Sequence, residues 1–236
     1  MRLTKISDKG ASGNLYMRMN EILFINWTGN GDAQYFSIDA SKRTNEISKE
    51  YFARLVYGQD YLTIEGGLKY GIENYRVTIS ENGNRYLCFY QQGVIFGFDK
   101  NGKKVYEWEA YELSGGHALY DIECQSSDLL WLAFPTGQTV TQVSLSERKE
   151  VQRIGDYTWD DVYEPLNFPE GLSVVDDELF IANMGSKQLY KMDLQTNKLD
   201  IEESFNVPIW DYIKTNIGDF IVTNDGVFEV GQEKRT

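Results

Sequence analysis

Short runs of alternating apolar and polar residues follow one another along this chain. Turn residues separate them at intervals of roughly ten positions, the pattern of β-strands on half-buried sheets. One phrase recurs: Tyr35-Phe36-Ser37-Ile38-Asp39, Ile95-Phe96-Gly97-Phe98-Asp99, Gln142-Val143-Ser144-Leu145-Ser146 and Leu189-Tyr190-Lys191-Met192-Asp193 each alternate and end in a short polar residue. Val227-Phe228-Glu229-Val230-Gly231 closes the series. The spacings are 60, 47, 47 and 38 residues, the range in which a sheet-rich period marks propeller blades.

The clearest unit predicts a four-stranded meander from Leu172–Val175, Glu178–Met184, Gln188–Leu194 and Leu199–Phe205, with turns at Asp176-Asp177, Gly185-Ser186-Lys187 and Thr196-Asn197. The same succession fits Leu119–Cys124, Leu129–Phe134, Val140–Leu145 and Glu150–Ile154. It fits again at Tyr75–Ile79, Arg85–Tyr90, Val94–Phe98 and Lys104–Trp108. A further blade runs through Leu15–Met19, Ile22–Trp27 and Ala33–Ile38, with a weaker fourth strand near Glu46–Tyr51. The last set, Trp210–Lys214, Phe220–Thr223 and Val227–Val230, lacks a fourth strand, and Arg2–Ile6 supplies it from the other end of the chain, covering an exposed edge. The expected fold is all-β: one five-bladed β-propeller spanning residues 1–236 and closed by its N-terminal strand. Residues 52–72 leave room for a sixth, degenerate blade or a hairpin insertion.

Composition supports sheet. Aromatic residues make up 14% of the 236, and such side chains fit a pleated, half-buried surface. The formal net charge of −13 repels phosphate backbones, and no basic stripe is present, so nucleic acid is not an expected partner. The longest core-like apolar run, Leu129–Phe134, is far too short to span a bilayer, and no apolar stretch of signal-peptide length opens the sequence; a cytoplasmic protein without membrane contact is expected. Cys88 and Cys124 have no CxxC or histidine partner nearby and read as buried free thiols.

Phe168-Pro169-Glu170-Gly171-Leu172, Glu178-Leu179-Phe180-Ile181-Ala182-Asn183 and Gln188-Leu189-Tyr190-Lys191-Met192-Asp193 together resemble one repeat of the NHL and gluconolactonase/senescence-marker β-propellers. The resemblance covers about 40 residues as a motif and the rest as architecture. It implies an acidic residue and asparagines around a divalent metal at one channel mouth. Glu170 and Asn183 match that pattern in kind.

Aligning the blades places Asn14, Glu73 or Asn74, His117, Glu170 and Trp210 or Asp211 around one mouth, a set chemically able to bind a metal or to exchange protons. His117 is the only histidine, and without an orienting partner in sequence it reads first as structural. The connection from Asp156 to Phe168 mixes Trp159 and Tyr163 with Asp160 and Asp161, a composition suited to sugar faces or basic side chains. The candidate ligand-binding residues are therefore Trp159, Asp160, Asp161, Tyr163, His117 and Trp210, with Glu170 and Asn183 as the metal candidates. No nucleophile elbow, phosphate loop or zinc spacing occurs. The expectation is a binding or scaffold module for a protein, a carbohydrate or another small polar ligand at the channel mouth, working without a cofactor. The alternative is a metal-dependent, lactonase-like hydrolase centred on Glu170 and using a divalent ion such as calcium.

Overall fold

The computed structural model describes residues 2–10, 13–58, 70–89, 93–158 and 164–231. Among these, twenty strands form five antiparallel four-stranded sheets, a five-bladed β-propeller. The first strand of the chain, β1 (Arg2–Ser7), belongs to the last blade, and β2 (Leu15–Arg18), β3 (Glu21–Trp27), β4 (Ala33–Ile38) and β5 (Thr44–Ile47) make blade 1. Blade 2 is β6 (Arg76–Ile79), β7 (Arg85–Phe89), β8 (Val94–Phe98) and β9 (Lys104–Glu109). Blade 3 is β10 (Asp121–Cys124), β11 (Leu129–Phe134), β12 (Thr139–Ser144) and β13 (Lys149–Ile154). Blade 4 is β14 (Pro169–Val175), β15 (Glu178–Asn183), β16 (Gln188–Asp193) and β17 (Lys198–Ser204). Blade 5 combines β18 (Asp211–Thr215), β19 (Gly218–Thr223) and β20 (Gly226–Gly231) with β1, which pairs Leu3 with Val230 and Lys5 with Phe228.

The alternation decides which face packs where. Each blade turns one row of apolar side chains back and the next row forward, so that clusters form between blades rather than within them. Cys88 and Ile95 of blade 2 meet Ile122, Leu130 and Leu132 of blade 3. Trp131 and Ala133 on the other face of β11 meet Leu179 and Ile181 of blade 4. Phe180 and Ala182 then meet Tyr212 and Ile221 of blade 5, whose Phe220 and Val222 close against Phe24 and Ile22 of blade 1.

The polar residue that ends the repeated phrase has a local cause. Asp39 Oδ1 accepts the N–H groups of Ser41 and Arg43, Asp99 Oδ1 those of Asn101 and Lys103, and Asp193 Oδ1 those of Gln195 and Thr196. Each side chain satisfies the backbone of the turn that follows it.

The first seam departs from the others. Residues 49–57 form α1 (Lys49–Tyr57), where a weak strand near Glu46–Tyr51 and an insertion from residue 52 are expected; the strand β5 is shorter and ends at Ile47. Ser48 caps the helix by accepting the Tyr51 N–H, and Gly58, at φ 91°, ends it. Phe52, Ala53, Val56 and Tyr57 are buried at helical spacing between blades 1 and 2, against Tyr16, Leu23, Val77 and Leu87. The helix wedges the seam open and fills it. Residues 59–69 of the expected insertion lie outside the described residues, and its end, at Ile72, opens a short 3-10 turn (Ile72–Asn74) ahead of blade 2.

Candidate functional site

The five innermost strands, β2, β6, β10, β14 and β18, surround a cavity of about 200 Å³. In a blade the innermost strand has a partner on one side only, so its outer row of N–H groups faces the axis unpaired, and burying them without acceptors would be costly. On three of the five strands such an N–H is met by a side chain of the blade before. The Leu172 N–H of blade 4 donates to Asp121 Oδ2 of blade 3 (2.7 Å), the Leu15 N–H of blade 1 to Asp211 Oδ2 of blade 5 (2.8 Å), and the Cys124 N–H of blade 3 to Thr78 Oγ1 of blade 2 (3.0 Å).

Register aligns Asn14, Arg76, Asp121, Gly171 and Asp211 as one ring, and Tyr16, Thr78, Glu123, Ser173 and Ile213 as the next. Across the first ring, Asn14 Nδ2 donates to Asp121 Oδ1 (3.1 Å). Gly171 makes room for its neighbour, since a Cβ there would lie 2.5 Å from Asp211 Oδ1. Arg76 is the cation of the ring: burial by itself would lower its pKa, but Tyr16, Asp121 and Asp211 around it outweigh burial and raise it. Burial pushes Asp121 up to about 6, against the pull of Arg76 and the hydrogen bonds from Leu172 and Asn14. Burial, then repulsion from Asp121, pushes Asp211 well above the usual carboxylate range. Burial and Asp121 also raise Glu123 to about 8.

Glu170 sits where β14 bulges against β15, between the pairs Pro169–Asn183 and Gly171–Ala182. Burial raises its pKa to about 7; Arg76 and Asp121 are its charge neighbours. Asn183 points its chemistry elsewhere. Its Oδ1 accepts the Asn167 N–H (2.8 Å) and its Nδ2 donates to Ser186 Oγ (2.7 Å), so its amide fastens the β15–β16 turn. Glu170 and Asn183 thus do not fit a shared divalent ion: the amide is committed within its blade, and the carboxylate's neighbouring cation is Arg76. Among the described residues, no three His, Cys, Asp or Glu side chains gather to hold a metal.

His117 lies off the ring. It is buried, burial lowers its pKa, its Nδ1 is 3.3 Å from Thr136 Oγ1, and its ring stacks on Tyr157 at 6.3 Å. These contacts hold the segment after β13 against blade 3. Glu73 is likewise drawn aside, accepting the Tyr35 hydroxyl (3.2 Å) and pairing with Lys49 (3.3 Å). Trp210 stands one residue before the ring and donates through Nε1 to Asn224 Oδ1 (2.7 Å). Trp159, Asp160, Asp161 and Tyr163 lie outside the described residues. The ring residues Arg76 and Asp121 carry one sequence signal, an ionisable residue opening a strand-like run at the same place in the period, with Glu123 two residues further along its strand.

No family model matches the chain, and no curated protein matches it. Solved structures do. A catalytically inactive histidine variant of virginiamycin B lyase from Staphylococcus aureus, with quinupristin, aligns with TM-score 0.52 and 15% identity over 91% of this chain and 64% of that one. A streptogramin B lyase gives TM-score 0.52 and 12% identity over 92% and 63%. The WD40 propeller domain of Doa1 gives TM-score 0.52 and 8% identity over 93% and 63%. The likeness is one of fold. The chain spans less than two thirds of the length of these three structures. Among the described residues no helix is long and apolar enough to cross a membrane.

Proposed function

We propose that this protein is a binding module whose channel mouth, on the side where the innermost strands begin, takes a positively charged group of a protein or small polar ligand. One observation carries the reading: Glu170, Asp121 and Asp211 are all charge neighbours of the buried guanidinium of Arg76. The two aspartates are occupied in holding blades together, whereas Glu170 has no hydrogen-bond partner among the described residues. Once Glu170 is ionised, above its raised pKa of about 7, low-dielectric walls strengthen its attraction for a cation, and the chain's net charge of −13 steers one toward it. The propeller neighbours, of lyase and WD40 kind, support a ligand- or partner-binding fold without naming the ligand. In sequence, Trp159, Asp160, Asp161 and Tyr163 precede Glu170 in the same connection and add rings and carboxylates of the same preference.

The test is fluorescence polarisation with labelled basic, neutral and acidic peptides and with small amines, on wild type and Glu170→Gln. Basic probes should bind, and the variant should weaken them about tenfold, the worth of one charge-assisted hydrogen bond. Preference for acidic or neutral probes, or equal binding by the variant, overturns the reading. Lactone opening that requires an added divalent ion and is lost in Glu170→Gln would instead support the hydrolase.

A further inference from the structure

Three large aromatic side chains stand exposed among the described residues: Trp27 (44%), Tyr70 (36%) and Tyr111 (45%). All three lie at one mouth, where the innermost strands begin and the second strands end, for Trp27 closes β3, Tyr70 precedes β6 and Tyr111 follows β9. The other exposed large apolar residues are not aromatic and lie elsewhere, Met19 in a turn at the opposite mouth and Val105, Val151 and Ile201 on outer strands. Two of the rings flank one turn of blade 2. Tyr70 packs on Phe89, their centroids 4.7 Å apart, and Tyr111 lies over Gly93, where a Cβ would collide with its ring. Between them the Gly93 N–H donates to the Phe89 carbonyl (3.2 Å). Rings seated in this way have little freedom left to lose when a partner covers them. The charges beside the rings have one sign. Asp32 adjoins Trp27 across a turn that the Thr28 N–H closes on the Asp32 carbonyl (2.9 Å), and Glu112 follows Tyr111 directly. Both carboxylates are exposed, and among the described residues neither makes an ion pair. Lys49, at the same mouth, is already paired with Glu73 (3.3 Å).

We propose that this face docks an extended basic segment of a partner protein, its arginine or lysine side chains lying against Trp27 and Tyr111 beside Asp32 and Glu112, and its path continuing to the Glu170 mouth. Tryptophan and tyrosine faces attract cations, and a neighbouring carboxylate holds the same guanidinium or ammonium by charge-assisted hydrogen bonds. A neutral sugar would stack on such rings but leave both carboxylates unanswered. One small cation cannot serve both places. Gly93, under Tyr111, leads into the third strand of its blade, two strand spacings or roughly 10 Å out from the innermost strand β6, a distance that an extended chain covers in about three residues. The inference rests on the reading of Glu170 as the cation's partner and adds the rings to it.

The experiment follows fluorescence polarisation of a labelled dodecapeptide alternating arginine and serine, and of one alternating glutamate and serine, with competition by arginine amide, cellohexaose and maltohexaose. The proteins are wild type, Glu170→Gln, a ring variant (Trp27→Ala with Tyr111→Ala) and a charge variant (Asp32→Asn with Glu112→Gln), each melted in parallel. Wild type should bind the arginine peptide saturably, more tightly than it binds arginine amide, and less tightly as salt rises. The ring variant should weaken the peptide about tenfold and the charge variant about threefold, while arginine amide competes as before. The charge variant alters only exposed polar groups, so its loss of binding cannot be a loss of fold. Ring and charge variants that bind the peptide as wild type does, with Glu170→Gln weakened, overturn the docking face and leave the mouth reading intact. A Glu170→Gln protein that binds both probes unchanged overturns the mouth reading and the continuous path with it. Displacement by either oligosaccharide, or preference for the glutamate peptide, overturns the basic partner.

Discussion

Asn14 Nδ2 donates to Asp121 Oδ1 at 3.1 Å, a bond that joins the first blade to the third across the axis. The same carboxylate receives the Leu172 N–H of the fourth blade. One side chain therefore links three blades, and its removal leaves a buried amide and a buried backbone N–H without an acceptor. Asp121→Ala should cost about 2–4 kcal/mol and Asn14→Ala about 1 kcal/mol, with a coupling of about 1 kcal/mol in the double variant. Urea denaturation of the four proteins measures this.

Stability should fall as pH rises from about 4.5 to about 8. Glu123, Glu170 and Asp121 have folded-state values raised to about 8, 7 and 6, and Asp211 is raised as well. In the unfolded chain the same groups titrate near 4. Between those limits the folded protein binds more protons than the unfolded one, so each group contributes stability that is complete below the unfolded value and lost as pH passes the folded one. Melting curves at pH 5 to 9 should show the decline, and Glu123→Gln should flatten its upper part. A profile that rises over this range would contradict the burial of these carboxylates.

Closure through the N-terminal strand predicts that deleting residues 1–7 destabilises every blade together. Leu3 packs beside Val230 and Phe228 at the seam with blade 4, and without β1 the edge of β20 is bare. A loss of several kcal/mol follows from the burial and the pairing. Thermal melts read at both tryptophan and far-ultraviolet signals should shift by the same amount, and an unshifted midpoint would refute the closure.

The helix in the first seam behaves as core. Phe52, 1% exposed, contacts the rings of Tyr16 and Tyr35 at 6.0 and 5.1 Å. Phe52→Ala should cost about 3–5 kcal/mol. Tyr57 donates its hydroxyl to the Ile72 carbonyl (2.8 Å), and Tyr57→Phe should cost about 1 kcal/mol. Substitutions in a surface insertion would cost a few tenths, so denaturation midpoints distinguish a wedge from a docking loop.

Period-two alternation and turn chemistry along the chain were enough to determine the five blades, their strands to within a few residues, and the closing of the last blade by Arg2–Ser7, because strand pairing within a blade is local and each hairpin carries its own signal. The seam helix was half legible. Phe52, Ala53, Val56 and Tyr57 stand at helical spacing after a capping serine, but their place in a series of strands favours reading them as an insertion. Aligning the blades already placed Asn14 and Asp211 at the mouth; only the tertiary structure decided that Arg76, Asp121 and Gly171 share their ring and that His117 and Glu73 lie away from the axis. The physical reason is that an innermost strand leaves N–H groups unpaired toward the channel, and the acceptors for those of Leu15, Cys124 and Leu172 come from the neighbouring blade, at least 46 residues away in sequence. Closure of the ring creates that need and sets which side chains meet it.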